Sequence, residues 1–321
     1  MDLIYTNTDR EDVGVLLDYE FDLAFGTDEN NFELGINTNQ HCCQAGCLLY
    51  IEGTEYGGII DSMKIATKDD KLTYSGRTWH GILATKVIEP DAGEAYLTVS
   101  GEANEVIGTL LDRIGLSDLF TASTDVSGLT ISNYKMNRYV DAYTGIIKML
   151  DKVSGKLQFK FTGGMVVVSA IPIVDYSTDE QFDNDQTEMN IEKAYNSVNH
   201  LLCLGSGELT ERQVVHLYVD AEGNIGTTQT FTGLDEVSAV YDYANAESLD
   251  DLIQGGIDYL KELSTTDSVS MDFNAESTVY DVGDIVGAKE IITGIAVKEK
   301  ITKKIVTINK GQINITYKVG E

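Results

Sequence analysis

The stretch from Glu55 to Pro90, EYGGIIDSMKIATKDDKLTYSGRTWHGILATKVIEP, constrains the fold more than any other part of the chain. An apolar strand follows the Gly57-Gly58 pair, Lys68-Asp69-Asp70-Lys71 makes a polar turn, and two further strands are broken at Ser75-Gly76. Leu72, Tyr74, Trp79, Leu83 and Val87 recur at strand-compatible spacings. A meander this regular, closed by Glu89-Pro90, predicts part of a closed or rolled-up antiparallel sheet. It offers no nucleophile motif, metal cluster or phosphate loop, so the expectation is a structural part.

Composition bounds what that part belongs to. A chain of 321 residues has room for two or more structural units. Its 42% hydrophobic residues supply cores, and 30 glycines against 2 prolines fit a β-rich chain turned by glycine. Lys and Arg number 23 against 52 Asp and Glu, a formal charge of -29. That excess argues against gripping nucleic acid through its phosphates. It fits a surface that repels polyanions, or a plain solvated acidic surface. Met1-Asp2-Leu3-Ile4-Tyr5 lacks the basic and apolar regions of a signal peptide. No apolar run approaches the roughly 18 residues of a membrane span. Cys42, Cys43 and Cys47 crowd one loop while Cys203 stands apart, a poor disulfide framework that predicts synthesis in a reducing cytoplasm.

In chain order, residues 1–100 read as strands and turns, with Tyr19, Phe21 and Leu23 alternating against Glu20, Asp22 and Ala24. Residues 101–175 read as a small α+β insert. Val106, Ile107, Leu110, Leu111 and Ile114 share one face of a helix ended by Gly115, and a second helix spans about 137–153. Strands at 156–161 and 165–171 are joined by Thr162-Gly163-Gly164. Residues 176–200 and 266–321 are predicted to be β. They flank an α/β segment, 201–265, whose helix carries Leu249, Leu252, Ile253, Ile257, Leu260 and Leu263 behind a Ser248 cap. The fold class expected is α+β, mainly β, with a sheet at each end.

Candidate chemistry is sparse. His41-Cys42-Cys43-Gln44-Ala45-Gly46-Cys47 is the one metal-like cluster, but no second ligand pair at zinc spacing lies elsewhere, so reduced thiols in a plain loop are preferred. Gly205-Ser206-Gly207-Glu208 lacks the Lys-Ser/Thr ending of a phosphate loop and the spacing of a nucleophile elbow, and reads as a tight turn. His41, His80, His200 and His216 form no HExxH motif, and His80 and His216 are placed within strands. Asp179, Glu180, Asp183 and Asp185 lack the glycine and closing Glu of a calcium loop. A carboxylate pair for glycoside hydrolysis has no required spacing, and nothing singles one out. Trp79, the single tryptophan, sits in a predicted strand as core rather than as a sugar platform. No catalytic, cofactor or metal residue is assigned, and no cofactor is expected.

Several stretches together resemble a known family: EYGGIID at 55–61, YSGRTWHGILATKVIEP at 74–90, NHLLCLGSGELTERQVVHLYVD at 199–220, FTGLDEVSAVYDYANAESLDDL at 231–252 and YDVGDIVGA at 280–288. They look like the tail-hub proteins of long-tailed bacteriophages, a family similar in architecture to the baseplate hub of contractile tails. The resemblance runs from near residue 15 to the end. It implies two tube-like β-barrel domains, 1–100 and 176–200 with 266–321, carrying the inserts 101–175 and 201–265. It also implies a homotrimer that adapts a hexameric tail-tube or distal-tail ring to a three-fold tip. A spike, fibre or tape-measure protein would be a neighbour, and DNA would pass through the lumen only in transit. The expected location is the virion tail tip after synthesis in the host cytoplasm. Longer relatives add a peptidoglycan-cleaving domain, fibre or spike; this chain stops at Glu321, so a hub without enzymatic activity is expected. The alternatives are a tail-associated cell-wall or carbohydrate-active enzyme and a receptor-binding module.

Overall fold

The fold is seen in a computed structural model that describes residues 2–178, 181–183, 185, 187–193, 197–221, 223–246, 248–263, 267–274 and 278–320. The chain opens with β1 (Leu3–Thr6), β2 (Asp12–Leu16), β3 (Glu20–Gly26), β4 (Asn31–Asn37), β5 (Leu48–Tyr50), β6 (Gly57–Ala66) and β7 (Lys71–Thr78). Alternation drives these strands: Phe32, Leu34 and Ile36 of β4 and Leu72 and Tyr74 of β7 are buried, with the less buried Glu33, Gly35 and Thr73 between them. The strand expected to continue through Trp79 and His80 is instead helix α1 (Trp79–Ala84). Thr78 caps it by accepting the Gly81 N–H. The four-residue spacing of Trp79 and Leu83 is one helical turn, so both side chains enter the core from the same helical face.

Next come β8 (Val87–Ile88), β9 (Leu97–Glu102), α2 (Ala103–Arg113), β10 (Phe120–Ala122), β11 (Thr130–Met136), β12 (Val140–Asp141), α3 (Ala142–Asp151), β13 (Gly155–Thr162) and β14 (Met165–Pro172). The α3 helix starts later than the expected 137, because Asp141 accepts the Thr144 N–H as N-cap and Tyr139 has a φ of 54°. Then follow β15 (Gln181–Asp183), β16 (Met189–Lys193), β17 (His200–Leu204), β18 (Val214–Val219), β19 (Ile225–Gly226), β20 (Ser238–Asp242) and α4 (Leu249–Leu263). The chain closes with β21 (Asp267–Asn274), β22 (Ile285–Lys289), β23 (Ala296–Asn309) and β24 (Gln312–Val319). Within the segment expected to be β, residues 280–284 form a turn before β22, and β23 is one continuous 14-residue strand.

Two compact units result: Met1–Met189 with Ser270–Glu321, and Asn190–Val269. In the first, neighbouring strands run β21-β24-β23-β3-β4-β7-β6-β5-β1-β2. The two ends of the chain meet here, since Lys303–Asn309 of β23 pairs antiparallel with Gly26–Glu20 of β3. Val306 and Ile308 thereby join Phe21, Phe25, Phe32, Leu34 and Tyr74 in one core. Where a separate barrel at each end is expected, the first and last strands share a sheet, and no closed barrel is found among the described residues. The mainly β, α+β class stands. A second core in the same unit joins Trp79 and Leu83 to α2, α3 and the β13–β14 hairpin, with Trp79 stacked 5.3 Å from Phe161.

The second unit is a small sheet, β19-β18-β17-β20, covered by α4. Leu252 and Leu260 pack on Leu201, Cys203 and Leu217. The close approach is made through Gly256, where a Cβ would lie 2.4 Å from the Cys203 Sγ.

Candidate functional site

The structure disperses most residues that the sequence marks for inspection. His41, Cys42, Cys43 and Cys47 stay in one loop, the first three gathered around the buried Tyr74 hydroxyl, which lies 2.7 Å from His41 Nδ1. All four cysteines are free, and no described group of three or more His, Cys, Asp or Glu side chains is arranged to hold a metal ion. Gly205 and Ser206, expected in a tight turn, instead open the longer loop from Leu204 to Val214, with Gly205 N–H bonded to Gln213 O and Gln213 N–H to Ser206 O. Asp179 and Glu180 of the acidic run lie outside the described residues, while Asp185 N–H is bound by the Asp183 carboxylate.

In the second unit the geometry brings together His200, His216, Glu236 and Ser238. Glu236 Oε1 lies 2.5 Å from His200 Nδ1, and His200 Nε2 lies 2.8 Å from His216 Nδ1. Ser238 Oγ is 3.2 Å from the same Nδ1 that faces the glutamate. A Ser-His-acid triad needs the hydroxyl and the carboxylate on opposite ring nitrogens. Here they share one, so this arrangement orients the imidazoles rather than activating the serine.

The most concentrated charge lies buried in the first unit, among residues whose joint role is not visible in the sequence. Lys304 of β23, 2% exposed, places Nζ 2.7 Å from Glu55 and 3.7 Å from Asp281. Lys156 of β13, 6% exposed, bonds Asp281 at 3.0 Å and both oxygens of Asp284 at 2.7 Å. Asp284, fully buried, also accepts the N–H groups of Val174 and Asp281. Two ammonium groups, from β13 and β23, are thus shared by three carboxylates, Glu55 of the meander and Asp281 and Asp284 of the C-terminal turn. Burial by itself lowers the Lys304 pKa, but Glu55 foremost, then Tyr56 and Asp281, outweigh it and raise it above the ordinary value. His80 lies against this network, its Nε2 3.9 Å from Glu55, and Phe159 and Phe25 pack on its ring at 4.0 and 4.8 Å. Burial, reinforced by Lys304, pushes the imidazole down to about 3, so it is neutral at ordinary pH. A cavity of about 140 Å³ beside it is lined by Glu55, His80, Tyr143, Lys156 and Asp281 among others.

Chemically this is a clamp. Glu55, Asp281 and Asp284 each face an ammonium group. One signal in the sequence could have found part of it: Lys304, Val306 and Ile308 alternate on one face of β23, which puts a lysine in line with core residues. Trp79, read as core, is fully buried.

No protein-family model matches the sequence, and no curated protein is similar to it. Solved structures are. The prophage MuSo2 43 kDa tail protein from Shewanella oneidensis superposes with a TM-score of 0.58 at 11% identity, over 100% of this chain and 98% of that one. Prophage tail protein gp18 from Listeria monocytogenes EGD-e gives 0.57 at 12% identity, over 99% and 94%. The tail protein from Neisseria meningitidis MC58 gives 0.53 at 12% identity, over 100% and 96%. These likenesses cover essentially the whole chain: this chain has the fold of phage tail proteins.

Proposed function

We propose that this protein is a structural component of a phage tail, a hub at the tail tip. Three copies would join around an axis and adapt the hexameric ring of a tail-tube or distal-tail protein to the three-fold tip. The observation that carries this reading is the likeness to prophage tail proteins along essentially the full length of both chains. The first unit supports it physically. Its sheet runs as an open path from β21 to β2, so enclosing a passage is a task for several copies rather than for one. The buried clamp of Lys304 and Lys156 holds the meander, first insert and C-terminal turn as a rigid wall, which suits a load-bearing part.

The charge gives the reading a further element. With 52 acidic against 23 basic residues, carboxylates facing the passage would let DNA slide without adhering. Light scattering on the purified protein, with negative-stain images of the same sample, tests the assembly. A trimeric mass and a three-fold ring are expected. A monomer that stays monomeric at high concentration and in the presence of the tail-tube ring would overturn it.

A further inference from the structure

We propose that Cys42 and Cys43 form a modification site: a vicinal dithiol that small disulfides oxidise to an intraloop Cys42–Cys43 disulfide. The two Sγ atoms already lie 3.3 Å apart; closing to a bond of about 2.05 Å makes an eight-membered ring across Cα atoms about 3.8 Å apart, a strained and therefore readily reduced bridge. The thiols border a cavity of about 270 Å³ that also takes in His41, Cys47, Asn7 and Val13, room for a small disulfide to approach. Cys42 is partly exposed while Cys43 is buried, which sets the order of events. Cys47 is buried too, and its Sγ already accepts the Gln44 N–H at 3.4 Å.

The reaction balances without any group held by the protein. Cys42 loses its proton to solvent, and its thiolate attacks one sulfur of the external disulfide, whose S–S bond breaks and releases one thiol. Cys43, deprotonated in turn, attacks Cys42 Sγ in the mixed disulfide and expels the second thiol. Two thiol hydrogens and two electrons leave the loop, and the external disulfide is reduced to two thiols. Burial raises the pKa of both Cys42 and Cys43. The thiolate fraction, and with it the rate, therefore climbs about tenfold per pH unit in the range below those values.

The consequence falls on Tyr74. Its hydroxyl accepts the N–H of Cys42 at 3.3 Å and of Cys43 at 3.1 Å, and lies 3.1 Å from the Cys43 carbonyl oxygen. A ring closed through the 42–43 peptide reorients those groups and leaves the fully buried phenol with His41 Nδ1 at 2.7 Å as its remaining partner. The test is peptide mass mapping of the full chain after exposure to oxidised glutathione at about pH 7, 8 and 9. The peptide holding both residues should lose two hydrogens, faster by about tenfold per pH unit, and tandem fragmentation should place the bridge at 42–43. Cys47→Ser should leave the product unchanged, and Cys43→Ser should trap glutathione on Cys42. No reaction, a stable glutathione adduct on the unmodified sequence, or a bridge that includes Cys47 would overturn the proposal.

Discussion

Lys304 shows what a single residue decides here. On the core face of β23 it neutralises Glu55 and draws on Asp281, in a setting where an unpaired charge is severely penalised. Lys304→Ala leaves the half-buried Glu55 without its counter-ion, while Asp281 keeps Lys156, and should cost about 3 kcal/mol, read as a lowered urea midpoint. Adding Glu55→Gln to Lys304→Met should recover part of that loss; a double variant no better than the sum of the singles would argue against a coupled pair. His80 makes a second, opposite case. Its folded pKa, about 3, lies below the ordinary 6.5. Between those values the unfolded imidazole takes up a proton that the folded one refuses. The unfolded state then binds more protons, so stability falls as pH drops through this window, by up to about 1.4 kcal/mol per unit. Wild-type stability should decline more steeply from about pH 6.5 to 4 than that of His80→Phe, and equal slopes in paired urea titrations would contradict the assignment.

Among the elements, the β6–β7 hairpin and the helix after it carry the clearest lesson. Gly76 lets β7 approach β6, since a Cβ there would lie 1.9 Å from the Ile59 carbonyl oxygen and 3.0 Å from the Phe32 ring. Gly76→Ala should therefore destabilise by about 3 kcal/mol or prevent soluble folding. Gly226→Ala, where nothing lies within 4 Å, should stay within about 0.5 kcal/mol of the parent; similar midpoints for the two variants would refute the packing argument. The Ser75-Gly76 pair reads as a break in the sequence because glycine is poor at holding a strand. In the structure β7 runs straight through it, with glycine chosen for closeness. Trp79 and His80 are misplaced for a related reason. A short apolar run fits both periods, and only the Thr78 cap and the core reached from α1 select the helix.

For the molecule as a whole, charge opposes assembly. A formal charge of -29 on each copy means that copies repel one another at low ionic strength. Raising salt from about 10 to 150 mM shortens the Debye length from about 30 to 8 Å, so, on the trimer proposed above, the trimeric fraction in light scattering should rise with salt. A trimer that falls apart as salt increases would mean that attractive ion pairs, rather than apolar contacts, hold it. Much of the architecture was legible beforehand. The helices at 103–113 and 249–263 follow their apolar stripes, and the β23–β24 hairpin follows its alternation and the Lys310-Gly311 turn, both at positive φ. Periodicity and turn chemistry are local properties, so the sequence by itself determined where strands and helices form and that the chain is mainly β. It could not determine that β23 pairs with β3, that Lys156 and Lys304 share Asp281, or that Trp79 stacks on Phe161. Those partners lie far apart along the chain, and which distant edge or charge a residue meets follows from packing the whole unit rather than from its own neighbours.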